Sequence, residues 1–191
     1  MIKFTNAKAM TFNCKGLTHP ARAKAIHTWL RDLSINLDFL CLNEVKTSAF
    51  LLDSHLKIVN KNFSWITSSH PAGRGGVCLD LNDSMQKALI KSIRRVSWVA
   101  AILGPPFNFT VAAVYAPTSS RERSLLWADL QVISGPVILT GDFNMVNSLE
   151  DRWNRLGKTI SGEEASAWHA LAVHLDLIDI STNCGMTWAN N

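Results

Sequence analysis

The sequence predicts a mixed α/β fold, a single domain with stacked sheets inside and helices outside. Three observations carry that reading. Strand-like runs are numerous and several are apolar throughout; amphipathic helical segments separate them at both ends of the chain; and the central stretch from Phe63 to Ala116 joins its strands by short connections such as Ala72-Gly-Arg-Gly-Gly76 and Gly104-Pro-Pro106, a hairpin pattern. A chain of 191 residues, 47% of them hydrophobic, is long enough to bury about 70% of its unfolded surface in one core.

In chain order, strands are expected at Ala9–Asn13, Phe39–Asn43, Phe63–Thr67, Gly76–Leu81, Trp98–Leu103, Phe109–Ala116 and Val137–Thr140. The first helix is expected over Ala21–Leu33, where Ile26, Trp29, Leu30 and Leu33 fall at i, i+3, i+4, i+7 behind Pro20. A second, Ser120–Ile133, repeats the spacing with Leu126, Leu130 and Ile133. The third opens on Ser161-Gly-Glu-Glu164, a capping box in which the serine oxygen and the Glu164 carboxylate satisfy backbone groups at the helix start. Ala165, Trp168, Leu171 and Leu175 then form its inner stripe. No repeats, linkers or low-complexity segments interrupt the chain.

Composition excludes several classes. The formal charge is +4, from 19 Lys+Arg against 15 Asp+Glu, a lean toward an anionic partner. Cys14, Cys41, Cys78 and Cys184 form no C-x-x-C pair, and three sit in apolar runs, so they read as buried free thiols of a reducing compartment and not as a zinc site. No apolar run approaches the roughly 18 residues of a membrane span, and the N-terminus lacks a signal-peptide pattern. A soluble, intracellular protein is expected.

Polar residues stand at four strand ends where apolar ones would pack better: Asn13 after "MTF", Glu44 after "FLCLN", Tyr115 after "VAAV", and Asp142 with Asn144 in "VILTGDFNM". Residues two apart in a strand share a face, so Asp142 and Asn144 would aim together beyond the strand end. A carboxylate able to hold a divalent cation, a second able to accept a proton, two amides and a phenol able to orient an anion make a kit for hydrolysing a phosphate ester.

"TFNCKGL", "CLNEVKT", "GRGGVCL", "VYAP" and "LTGDFNM", in that order, resemble the successive motifs of the endonuclease/exonuclease/phosphatase superfamily, the DNase-I-like fold. "NCKGL", "DRWNR", "LDLIDI" and "TWANN" are most similar to the apurinic-endonuclease-like domain of plant non-LTR (LINE-type) retrotransposons. The resemblance implies a four-layered α/β sandwich and a Mg²⁺- or Mn²⁺-dependent endonuclease that nicks DNA, with a reverse transcriptase domain downstream and a nuclear location if the element is active. It also implies roles. Glu44 matches the metal-binding glutamate and Asn13 the asparagine beside the metal and the catalytic aspartate. Asp142 matches the residue that orients or deprotonates the attacking water, Asn144 its partner, and Tyr115 the phenol on the scissile phosphate.

This sequence departs from the pattern twice. Two residues beyond Asn13, where apurinic endonucleases have a metal-binding aspartate, Lys15 stands; it cannot bind a cation and reads as a solvated side chain or as a phosphate contact. The family's terminal R-x-D-R-like strand and the Ser-Asp-His strand that follows it do not occur in these 191 residues, so the expected fold lacks its C-terminal strands and the expected activity is impaired. None of the six histidines stands in for the missing one. His19, His27, His55, His169 and His174 read as structural or solvent-exposed, and His70, beside Arg74 and the glycines, is the best placed to touch nucleic acid. DNA contacts are expected from Lys15, Arg74, Arg152 and His70, with Arg121 and Arg123 as further basic residues near the site. Two other readings remain open, a phosphomonoesterase-type member of the superfamily and a truncated, non-catalytic remnant that binds nucleic acid weakly.

Overall fold

Strands that are apolar on both sides of their pleat need cover on both faces, which a facing sheet supplies on one side and helices supply on the other. The computed structural model describes residues 8–32, 36–59, 65–68, 75–145 and 162–178. The strands are β1 (Ala9–Asn13), β2 (Phe39–Asn43), β3 (Ile66–Ser68), β4 (Val77–Leu81), β5 (Leu89–Arg94), β6 (Trp98–Leu103), β7 (Thr110–Tyr115) and β8 (Val137–Asp142). The helices are α1 (Pro20–Asp32), α2 (Ala49–Val59), α3 (Asp83–Lys87), α4 (Ser120–Leu130) and α5 (Gly162–His174). They make one sheet in the order β1-β2-β4-β3 and a second in the order β5-β6-β7-β8. The α/β expectation holds, and seven strands and three helices fall within a few residues of their expected places.

The chain divides into two compact units, the first comprising Met1–Tyr115 and Pro136–Asp142, the second Ala116–Gly135 and Phe143–Asn191. In the first unit, Phe39 and Cys41 of β2, Ile66 of β3 and Val77, Leu79 and Leu81 of β4 meet Val99, Ala101 and Leu103 of β6 and Val111 and Ala113 of β7 in one buried cluster between the sheets. The alternate residues Leu40, Leu42 and Cys78 face a second cluster with Ala23 and Ile26 of α1 and Leu52, Leu56 and Val59 of α2. Parallel pairing of β1 with β2 follows from the helical crossover α1 between them. At 38% exposed, Trp29 is not core; its ring lies 4.7 Å from that of Phe12.

Three elements were not expected. Helix α2 occupies what reads as a polar connection, because Asp53, Ser54, His55 and Lys57 break the apolar pattern. His55 nevertheless sits at a buried position and satisfies its Nδ1 on the Leu17 carbonyl oxygen. Helix α3 is too short to show a period and is set by its cap, the Asn82 side chain accepting from the Met85 N–H at 2.9 Å. Strand β5 carries Lys91, Ser92 and Arg94 and a register shift between Leu89 and Lys91, the charge and bulge that suit a sheet edge.

In the second unit, Glu164 of the expected capping box is fully buried, and Ser161 lies outside the described residues. Glu164 accepts from Arg123 Nη2 at 3.1 Å and Ser120 Oγ at 2.7 Å, and pairs also with Arg123 Nε. Arg123 donates further to the Pro117 and Thr118 carbonyls. It is therefore buried in an internal ion pair, correcting its expected place among the DNA-facing residues. Trp127, Phe143 and Trp168 stack around one another with centroids 5.1–6.1 Å apart.

Asp80 on β4 is a buried carboxyl among apolar neighbours. It is 4% exposed, one carboxylate oxygen has no hydrogen-bond partner, and burial pushes its pKa up to about 8, against a lowering contribution from the Leu81 backbone. A folded carboxyl that keeps its proton to about pH 8, when the unfolded one releases it near 3.8, loses stability as pH rises between those values. Asp80→Asn should flatten that slope. Urea midpoints of the two chains are expected to converge near pH 4 and to separate, with the variant the more stable, by pH 8; parallel profiles would contradict the assignment.

Candidate active site

The C-terminal ends of the parallel pairs β1/β2 and β7/β8 converge, and the polar residues singled out in the sequence lie there. Asn13 ends β1 and Glu44 directly follows β2; Tyr115 and Asp142 are register partners at the ends of β7 and β8. The Asn13 carboxamide links them. Its Nδ2 donates to Asp142 Oδ2 at 3.2 Å, its side chain bonds Glu44, and its Oδ1 accepts from the Lys15 N–H at 2.9 Å.

Backbone conformation places Glu44 where no strand would. Glu44 and Lys46 adopt left-handed φ values of 55° and 39°, and Lys15 one of 47°, positions uncommon for residues with side chains. The loop is clamped on both sides: Gly16 N–H and Leu17 N–H donate to the Glu44 and Val45 carbonyls at 2.8 and 2.6 Å, and Val45 N–H and Lys46 N–H donate to Gly76 and Gly75 at 3.3 and 2.7 Å. Gly75 is required beside Tyr115, since a Cβ there would lie 2.6 Å from Tyr115 Cε1. Gly141, at φ 135°, is required on β8, because a Cβ would overlap the Val114 carbonyl oxygen.

Asn43 was not expected to matter. It is 2% exposed, and with its amide turned the way that satisfies its neighbours its oxygen accepts from the Asp142 N–H at 3.2 Å and from Thr11 Oγ1 at 2.9 Å, while its nitrogen donates to the Val114 carbonyl at 3.1 Å. One side chain thus ties β2 to β1, β7 and β8. Its signal in the sequence was an amide immediately before Glu44, masked by the apolar run ahead of it.

The electrostatics centre on Glu44. Burial acts to raise its pKa, but hydrogen bonds from Lys46 and Asn13 and the charges of Lys46 and Lys15 outweigh it, and the net is a lowered value. Lys46 forms an ion pair with Glu44 Oε1, which raises the pKa of the lysine. The described cysteines contribute no nucleophile: burial pushes Cys14 to about 11, Cys41 to about 12 and Cys78 well above its ordinary value.

Asn144 needs correction in its geometry. Strand β8 stops at Asp142, and Asn144 has a left-handed φ of 47°, so the two-residue alternation that would aim it with Asp142 does not extend to it; its Nδ2 donates to the Ala116 carbonyl at 2.6 Å within the second unit. Lys15 is exposed. His70, Arg74, Arg152 and Cys184 lie outside the described residues. His27 and His174 bond the Val59 and Ile133 carbonyls, and His19 accepts from the Ala21 N–H, structural roles as expected.

Among the described residues no cluster of three or more His, Cys, Asp or Glu could enclose a metal ion. The Glu44 carboxylate alone could serve a hard dication such as Mg²⁺, which keeps several waters and takes one or two carboxylates plus substrate oxygens; Asn13, expected as a second ligand, turns its amide nitrogen toward Glu44 and Asp142 and its oxygen to the Lys15 N–H. No helix among the described residues is long and apolar enough to cross a membrane.

The chain belongs to the Endonuclease/Exonuclease/phosphatase family, whose model matches residues 10–190. Among solved structures, an AP endonuclease from Leishmania major shares the fold with a TM-score of 0.64 at 15% identity, over 87% of this chain and 66% of that one. A 3′ phosphatase from Neisseria, bound to a product DNA hairpin, superposes with a TM-score of 0.65 at 17% identity, over 88% and 71%. A 3′-5′ exonuclease from Neisseria meningitidis gives 0.59 at 19%, over 87% and 70%. The chain thus spans about two thirds of the length of these proteins. No curated protein matches the sequence.

Replacing Asn43 by Ala removes three buried hydrogen bonds at the strand ends. The expected loss is about 2–4 kcal/mol, read from urea unfolding monitored by tryptophan fluorescence. A loss below ~1 kcal/mol would mean that the carboxamide carries little of the connection.

Proposed function

We propose that this chain is a metal-dependent phosphodiesterase that nicks DNA, the endonuclease domain of a retrotransposon-like element. The observation that supports it most is the Asn13 carboxamide bonded to both Asp142 and Glu44, which sets a proton acceptor and a candidate metal ligand side by side at the strand ends. A bound Mg²⁺ or Mn²⁺ at Glu44 would offset charge developing on the leaving oxygen. Asp142 accepts a proton from water as that water attacks phosphorus. The P–O3′ bond breaks, and the departing 3′-oxygen takes a proton from solvent water, leaving a 5′-phosphate and the 3′-hydroxyl that primes reverse transcription. Asn13 holds the Asp142 carboxylate in place, and the Tyr115 hydroxyl donates to a phosphate oxygen. A reverse transcriptase is the implied downstream domain.

No Ser-Asp-His run occurs in the 191 residues, so its histidine, a charged donor to the phosphorane, is not supplied by them. Loss of one such preorganised donor costs about 10²–10³ in rate, and slow nicking is expected. The test is relaxation of supercoiled plasmid in Mg²⁺ by the chain and by Asp142→Ala, purified in parallel. Slow nicking that falls a further ~10²-fold or more in the variant supports the reading. Equal activity of the two, or none from either, would overturn it, and release of phosphate from a 3′-phosphorylated oligonucleotide without nicking would favour a phosphomonoesterase.

Binding of DNA is expected to be electrostatic and weakly sequence-selective, through Lys15, Arg74, Arg152 and His70. Affinity for duplex DNA, measured by fluorescence anisotropy, should fall linearly in log–log form with salt, and Arg152→Ala should reduce the slope by about 0.9 if that side chain neutralises one phosphate. A salt-independent affinity would exclude this mode.

A further inference from the structure

We infer that Lys46 competes with divalent metal for Glu44: its ammonium holds the carboxylate in the metal-free chain, and a cation binds there only by displacing it. The inference rests on Glu44 being the metal ligand, as read above. Lys46 Nζ pairs with Glu44 Oε1, one of the two carboxylate oxygens available to a metal. The two partners differ in freedom. The Glu44 side chain is 16% exposed and bonded to Asn13, whereas that of Lys46 is 47% exposed. The lysine can therefore swing into water without disturbing packing, and the glutamate cannot.

The backbone keeps them facing. Both residues hold left-handed φ values within a loop fixed by Gly16, Leu17, Gly75 and Gly76, so the pairing is built into the loop and does not depend on chance contact between two long side chains. Lys15 adds a second positive charge close enough to act on Glu44. A single carboxylate faced by two ammonium groups is a poor site for a bare dication, because the charge it offers is already compensated. Lys15 and Lys46 act differently, however: Lys46 occupies the ligand oxygen, and Lys15 contributes only its field. Removing the first should matter more than removing the second.

The experiment is Mn²⁺ titration of the 191-residue chain, followed by the electron paramagnetic resonance signal of the free ion, for the unmodified protein, Lys46→Met, Lys15→Met, Glu44→Gln and the double variant Lys46→Met/Glu44→Gln. Far-UV circular dichroism confirms that each is folded. Lys46→Met should bind Mn²⁺ about tenfold more tightly than the unmodified chain, and Lys15→Met only about two- to threefold. Both chains with Glu44→Gln should lose the site. No tightening in Lys46→Met, or an effect no larger than that of Lys15→Met, overturns the competition while Glu44 remains the ligand. Mn²⁺ affinity unchanged by Glu44→Gln overturns the metal reading itself, and the competition with it.

Discussion

A buried asparagine carboxamide holds the working end of this molecule together. Asn43 leaves β2 at the point where the two sheets meet and bonds Thr11 on β1, Val114 on β7 and Asp142 on β8. The apolar cluster between the sheets is broad but non-directional; it fixes their separation and leaves their register loose. Hydrogen bonds from one amide to both sheets are directional, and they set where the end of β8 lies against β1 and β2. The 3.2 Å between Asn13 and Asp142 depends on that placement. Gly141 serves the same end, because any side chain there would push β8 away from β7.

Charge at the site is arranged unlike a ready-made metal cage. One carboxylate, shared among Asn13, Lys46 and the field of Lys15, gives little affinity to a dication by itself, and Mg²⁺ is a metal that relies on waters and substrate phosphates to complete its shell. The same lysines leave positive charge beside the carboxylate. The loop residues of the site sit in strained conformations that packing on both sides over-determines, the condition under which such strain persists.

Much of this was legible in the chain. Strands β2, β6 and β7 announce themselves because strands buried along nearly their whole length are near-continuous apolar runs, and α1, α4 and α5 because a helix half-buried repeats its apolar residues every three or four positions. Helix α2 escaped because a buried histidine satisfied by the Leu17 carbonyl looks, in sequence, like a polar interruption. Strand β5 escaped because an edge is built from the residues that argue against a strand. Glu164 and Arg123 read as a capping residue and a surface cation, since nothing local shows that they face each other across 41 positions.

The sequence by itself determined the fold class, most of its elements and the identity of the polar residues at the strand ends, because each of those depends on local periodicity or on a motif contained in a few residues. Only the tertiary structure decided how they meet: that Asn13 reaches Asp142 across 129 positions and bonds Glu44 as well, that Asn43 ties the sheets, that Lys46 holds the Glu44 carboxylate, and that Asn144 turns out of the strand. The reason is physical. Hydrogen bonds and ion pairs act over a few ångströms with strict geometry, and which groups come within that reach is settled by strand pairing and backbone angles that no single segment encodes.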